Sequence, residues 1–199
     1  MLYNYIEHVF YYHLEGCHIL EDFINALKSK NKQPLQSKNW KNWIAQKDLK
    51  LCEDCSKRHG KIFPISEFVP PMHLFCRCVL TPLPAIASGY ATNDSTAGAD
   101  YWLKEYGRLP NAYITKEEAK QFGWESKKGN LATVAPGKVI GGDRYFNDDG
   151  HLPTAAGRIW YEADINYSGG HRGNDRILYS NDGLVFVTYN HYESFIEVI

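Results

Sequence analysis

The stretch 157–167, Gly-Arg-Ile-Trp-Tyr-Glu-Ala-Asp-Ile-Asn-Tyr, constrains the fold more than any other part of the chain. Ile159, Tyr161, Ala163, Ile165 and Tyr167 alternate with Trp160, Glu162, Asp164 and Asn166, the two-residue period of a β-strand with unlike faces. Glu162, Asp164 and Asn166 therefore share one face, and the mostly apolar set shares the other. A polar row of this kind is most often a solvated sheet face. Here, however, Arg172 and Arg176 follow closely, and His191 precedes Tyr192 near the C-terminal end. One carboxylate, one imidazole and two guanidiniums are the groups needed for metal-free acid–base chemistry on a phosphodiester.

Neighbouring signals extend the sheet and place helices before it. Ala99, Trp102, Leu103 and Tyr106 make an apolar helical stripe that ends at Gly107, with Pro110 beyond. Thr115 and Glu118 form a capping box that opens a second helix, which Gly123 closes, and 130–135 suits a third short one. Strands are expected from Trp160 onward and over 175–179, 184–189 and 194–199, with a hairpin turn at 180–183. Helices first and an antiparallel sheet second is an α+β layout.

The N-terminal half reads differently. Residues 1–27 repeat apolar positions at helical spacing, 28–41 are polar and basic around Pro34, and 39–47 begin a short element. All five cysteines fall within the first 78 residues. Cys52-x2-Cys55 and Cys76-x-Cys78, with His73 just ahead of the second pair, have the spacing of a small zinc site. Cys52, Cys55, Cys76 and Cys78 are the candidate ligands, with His73 as an alternative to one of them. Buried thiols or two disulfides fit the same spacing. Residues 79–98 are small, polar and proline-bearing, as in a linker. The expected division is a Cys-rich, mainly helical or irregular module at 1–82, a linker at 83–95 and an α+β domain at 96–199.

Charge excludes little globally and more locally. Among 199 residues the formal net charge is −1. Residues 1–98 carry 11 Lys/Arg against 9 Asp/Glu, and 99–199 carry 11 against 14. Attraction for a polyanion in the second half must come from clustering. The first residues lack the basic and apolar regions of a secretory leader, and no run is long enough to span a bilayer. The expectation is a chain made in the bacterial cytoplasm, exported or delivered by a dedicated route, and active in a target-cell cytoplasm.

Two resemblances sharpen these readings. Residues 43–78, with Leu-Cys-Glu-Asp-Cys-Ser-Lys-Arg-His-Gly-Lys-Ile-Phe followed by Pro-Pro-Met-His-Leu-Phe-Cys-Arg-Cys, resemble the C-terminal part of phage head-morphogenesis (minor head) proteins. The larger body of such a protein does not fit into residues 1–40. Residues 99–199 resemble the barnase-like guanyl-specific bacterial ribonucleases. The matching stretches are Tyr-Ile-Thr-Lys-x-Glu-Ala (113–119), Lys-Gly-Asn-Leu-Ala-x-Val-Ala-Pro-Gly-Lys (128–138), Ile-Gly-Gly-Asp (140–143), Glu-Ala-Asp-Ile-Asn-Tyr (162–167), Asp-Arg-Ile-Leu-Tyr-Ser (175–180) and His-Tyr (191–192).

The second resemblance implies a microbial ribonuclease fold with Glu162 as base, His191 as acid, and Lys116, Arg172 and Arg176 around the phosphate. Lys116, in the first turn of a helix where a cation is disfavoured, suits that role. Asp143 supports the lysine. The base-binding loop falls on Tyr145, Phe146, Asn147, Asp148, Asp149 and Gly150, with Tyr192 as a stacking platform. Asp149 is one methylene shorter than the family's Glu, and Asp148 stands where the family has Arg, so guanine is expected to remain the best base with adenine closer behind. His151 and His171 are expected to be exposed loop residues, and Asn166 and Asp175 structural. Single-stranded RNA is the implied substrate, with no cofactor for catalysis. A barstar-like immunity protein and a delivery apparatus or phage-like particle are the implied partners. The combination looks like a toxin on a delivery module. The rival from another class is a structural or interaction protein of phage-head type with an idle ribonuclease fold, which the intact polar positions argue against.

Overall fold

The computed structural model describes residues 35–69, 71 and 73–199. The helix expected over 1–27 and Cys17 lie outside the described residues. What is described is α+β, with a large sheet and few helices. Strand β1 (Leu35–Ile44), helix α1 (Glu53–Arg58) and strands β2 (Ile62–Pro64) and β3 (Val79–Ile86) come first. Helix α2 (Ala99–Tyr106), strand β4 (Tyr113–Ile114) and helices α3 (Lys116–Gln121) and α4 (Leu131–Val134) follow. Strands β5 (Val139–Tyr145), β6 (Trp160–Asp164), β7 (Arg176–Ser180), β8 (Val185–Thr188) and β9 (Ile196–Val198) complete the chain.

The helix ends follow their sequence signals. Gly107 takes a left-handed φ of +66° and donates its N–H to Leu103, closing α2. Thr115 and Glu118 form the reciprocal capping box that opens α3.

Nine described strands run in the order β2-β1-β3-β9-β8-β7-β6-β5-β4. Pairing is antiparallel except at β3–β9 and β4–β5. Alternation divides the sheet into two faces. Ala163, Ile177, Val187 and Val198 pack against Ala99 and Leu103 of α2 on one face. On the other, Trp160, Leu178 and Phe186 pack against Leu152 and Phe195, together with Ile62 and Leu83 from the N-terminal half. Gly141 is required where β5 crosses β6, because a Cβ there would stand 2.5 Å from Ala163 Cβ and 2.6 Å from the Tyr113 ring.

Three expectations need correcting. Residues 35–41 are strand, not loop, since β1 pairs with both β2 and β3 and buries Ser37 and Trp43. Within its described residues the Cys-rich module is irregular chain and three strands, with a single six-residue helix, so its helical part is smaller than expected. Residues 83–86 of the expected linker are also sheet: Leu83, Ala85 and Ile86 are buried, and Ala85 and Ile86 pair with β9.

The remainder of that segment is tied down through its backbone. Ser88 N–H donates to Ile199 and Tyr189 Oη to the Ala91 carbonyl. The fully buried Asp100 accepts from Ala91 N–H and Thr92 Oγ1. Small polar residues read as flexible only while such distant partners are unknown. The two halves therefore share one sheet and one apolar cluster. Leu83→Ala should cost about 2–5 kcal/mol, the range for a buried leucine. Denaturant melts should show one transition at lower midpoint for the whole chain. An unchanged second transition from the C-terminal half would contradict the shared core.

Candidate active site

Glu162 lies in the middle of β6, opposite Asp143 of β5 and Leu178 of β7. Its Oε1 accepts from Lys116 Nζ at 2.5 Å, and its Oε2 accepts from the Tyr192 hydroxyl at 2.5 Å. Lys116 reaches it from the first residue of α3, whose backbone N–H donates to Asp143 Oδ2 at 3.0 Å. Asp143 thus fixes the start of the helix and leaves the ammonium free to cross to β6. Burial pushes the Glu162 carboxyl up, but the Lys116 ammonium and the Tyr192 hydroxyl outweigh it and hold the group below the usual glutamate range. Burial, followed by Glu162, pushes the Tyr192 phenol well above its usual range, so it stays a donor.

Asp164, two residues along the same face and 2% exposed, gathers both arginines. It accepts from Arg172 Nε and Nη2, each at 2.7 Å, in a bidentate pair. Arg176 Nε stands 3.0 Å from Asp164 Oδ1 as an ionic contact without a directed hydrogen bond. Arg176 Nη1 donates to the carbonyls of Gly173 and Asp175, both at 2.8 Å.

His191 is exposed at the tip of the turn between β8 and β9, with its ring edge-on to Tyr192 at 4.9 Å. Both residues take positive φ, +56° and +72°, at a cost on the order of 1–3 kcal/mol each. The turn is held by fully buried Thr188, whose Oγ1 accepts from Tyr192 N–H and donates to Asn190 Oδ1. Asn190 also bonds Ser194 through both its amide atoms.

The loop 145–152 closes on itself. Asn147, buried at φ +53°, donates from Nδ2 to the Leu152 carbonyl and accepts the Leu152 N–H. Asp148 and Asp149 are left exposed at its tip. Tyr145 stacks on Tyr192 at 5.4 Å, and burial pushes its phenol up to about 12. Phe146 faces outward beneath the Arg144 guanidinium.

The structure thus joins Glu162, Lys116 and Tyr192 directly, and Arg172 with Arg176 through Asp164. His191 and Tyr145 each lie against Tyr192. His151, expected to be exposed, is half-buried against Phe195. His171 is exposed, and Asn166 links Asp175 to the Asn93 backbone. Sequence reasoning passed over Asp164, although its place in the row with Glu162 was a signal. Thr188, Asn190 and Ser194 carry no comparable pattern.

A second cluster lies in the N-terminal half. Cys52 caps α1, and its Sγ stands 3.2 Å from His73 Nε2. Cys55 Sγ stands 3.4 Å from the same nitrogen and 3.6 Å from Cys76 Sγ. Cys52, Cys55 and Cys78 are not joined in disulfides. Cys52, Cys55 and His73 make one metal-competent group, and Cys55, Cys76 and Cys78 another. At a zinc–sulfur length of about 2.3 Å, tetrahedral ligands stand roughly 3.8 Å apart, so these spacings fit a single ion. His73 Nδ1 bonds the Leu74 carbonyl at 2.9 Å, which puts the proton there and leaves Nε2 as the ligand atom. Burial, then the neighbouring thiols, push the Cys55 thiol far up. A bound cation would reverse that penalty.

No helix among the described residues is long and apolar enough to cross a membrane.

The family model for Phage Mu protein F like protein matches residues 23–81. A ribonuclease of Heyndrickxia coagulans is 54% identical over 100 residues, covering 50% of this chain and 91% of the relative. Ribonucleases of Bacillus intermedius and Bacillus pumilus are also 54% identical over 100 residues, but the match covers only 61% of their length. The ribonuclease family model matches residues 96–199, the part that carries the Glu162 and Asp164 networks, and the chain belongs to the barnase-like ribonuclease family.

Proposed function

We propose that the chain is a toxin-type endoribonuclease that cleaves single-stranded RNA by metal-independent transesterification. The observation that carries this reading is the Glu162 carboxylate, kept ionised by Lys116 and Tyr192 on the same face as the paired arginines. RNA supplies its own nucleophile. Glu162 takes the proton of the 2′-hydroxyl, O2′ attacks phosphorus, and the 5′-oxygen leaves with a proton from protonated His191. The product is a 2′,3′-cyclic phosphate, which water opens with the two residues exchanging roles. Charge that builds on the non-bridging oxygens meets Lys116, Arg172 and Arg176. DNA lacks the 2′-hydroxyl and does not react.

Cleavage should survive EDTA and fall by at least ~100-fold in Glu162→Ala or His191→Ala, the usual scale for loss of a general acid or base. A depressed carboxyl pKa keeps the base active until the pH falls below the usual glutamate range. The acid limb of kcat/KM should therefore lie there, and Lys116→Ala should move it upward. Full activity in both Ala variants would overturn the assignment.

Guanine is the preferred base, with adenine closer behind than the family pattern implies. Asp148 and Asp149, both exposed at the tip of the loop, are the basis of this reading. One bidentate base contact is worth about 1–3 kcal/mol, and a shortened carboxylate forfeits much of it. Rates on matched GpN and ApN dinucleotides should differ by well under a thousandfold. A ratio of several thousand would show that Asp149 reaches the base fully.

The N-terminal half serves delivery or packaging, a reading supported by the Phage Mu protein F like match. A barstar-like immunity protein presenting acidic groups would find its anchors in Arg172, Arg176 and Lys116. Four of Cys52, Cys55, Cys76, Cys78 and His73, the histidine replacing one cysteine, hold one structural zinc, a reading supported by two ligand groups that share Cys55. Purified protein should contain about one zinc per chain. Chelation should lower the melting temperature of the whole chain, because the metal site and the ribonuclease share a sheet. Metal-free protein with an unchanged melt would favour simple buried thiols.

A further inference from the structure

The turn between α1 and β2 docks on both loops of the ribonuclease site. Ile62 N–H donates to the His151 carbonyl at 2.9 Å, directly after the exposed Asp148–Gly150 tip. A Cβ on Gly60 would stand 3.5 Å from the Glu193 carbonyl and 3.9 Å from the His151 ring, so this turn also lies against the segment that carries His191 and Tyr192. Gly60 itself takes a φ of +79°, which an L side chain would strain.

Between these contacts stands Lys61. Its Nζ lies 3.6 Å from the place of a Cβ on Gly150. The side chain is half-buried, and among the described residues it has no carboxylate within ion-pair distance. The His151 ring senses both Lys61 and Asp149, so the cation and the acidic tip share one neighbourhood. A base-binding loop that ends in two carboxylates repels the polyanion it has to admit. A neighbouring ammonium offsets that repulsion without changing the loop itself.

We propose that Lys61, contributed by the Cys-rich half, is a substrate-binding residue of the ribonuclease cleft, where it meets an RNA phosphate beside the 145–152 loop. This rests on the ribonuclease reading above. The N-terminal half then forms part of the substrate site as well as covering the sheet.

The full chain and its Lys61→Ala and Lys61→Arg variants, assayed on single-stranded RNA across a salt series, test this. Lys61→Ala should raise KM about fivefold at low salt, the upper end for an exposed ionic contact. Its kcat should stay within about twofold, since a contact to a flanking phosphate is made equally before and during the reaction and uniform binding is what is lost. The dependence of log KM on log salt should flatten by about 0.7, the slope due to one neutralised phosphate on a single strand. Lys61→Arg should restore both. An unchanged salt slope, or a loss of kcat together with a lower melting temperature, would overturn the proposal and leave Lys61 a brace for the loop. Wild-type protein and Glu162→Ala in the same assay separate this failure from failure of the ribonuclease reading. If wild-type does not cleave, the latter falls.

Discussion

The site depends first on a buried anion. Asp164 is almost wholly shielded from water, and a carboxylate so placed costs several kcal/mol unless it is paired and hydrogen-bonded. Arg172 reaches it from the loop after β6, and Arg176 from the paired position on β7. The need to neutralise Asp164 therefore fixes two guanidiniums before any substrate arrives. Transition-state stabilisation is strongest from donors that need not reorganise during the reaction. Asp164 touches no reacting atom in this scheme, yet the arginines keep their places because of it. The same economy operates at Glu162, where Lys116 and Tyr192 occupy both oxygens and hold the base ionised.

What the sequence disclosed follows from how local each signal is. Strand β6 alternates cleanly, and β7 and β8 are short apolar runs on either side of a turn of Ser-Asn-Asp-Gly, so they could be read from neighbours alone. Glu162, Lys116 and Arg176 stood out because their charges sit on otherwise regular elements, whereas His191 and Arg172, on a turn and a loop, stood out through the motifs around them. Strand β3 was hidden for the opposite reason. Pro82 and Pro84 interrupt it, and its decisive partner, β9, lies more than a hundred residues away. Strand β1 was masked by its lysines, which cover the outer face while Ser37 and Trp43 turn inward. The Thr188–Asn190–Ser194 lock around His191 is likewise invisible in composition, since three small polar residues near a turn usually mean only solvent.

The pairing of β3 with β9 changes what the two halves are to each other. A sheet ending at β9 would expose a row of unpaired amides and carbonyls, a template for aggregation. Here that edge is continued by β3, β1 and β2. Leu83 and Ile62 join Trp160, Leu178 and Phe186, and Trp40 meets Phe186 edge-on at 6.3 Å. The cluster carrying Cys55 is built on Trp43 of the same strand β1. Whatever steadies the cysteines thus steadies β1, the neighbour of the strand β3 that continues the ribonuclease edge.

Charge completes the argument. Lys116, Arg172 and Arg176 stand against Glu162 and Asp164, with Asp143 at the start of α3, so three cations and three carboxylates leave the cluster with little net charge. The 145–152 loop adds Asp148 and Asp149, and the chain as a whole is slightly acidic. Overall charge therefore gives little long-range attraction for RNA, and screening confines the remaining attraction to about a Debye length, ~8 Å in physiological salt. Binding must be decided by cations close to the path of the strand. In the proposed mechanism Lys116, Arg172 and Arg176 serve one end of that path. On the proposed path of the strand, Lys61 enters beside the acidic tip from outside the ribonuclease half, and its position there depends on the turn that Gly60 shapes and that the Ile62–His151 bond secures.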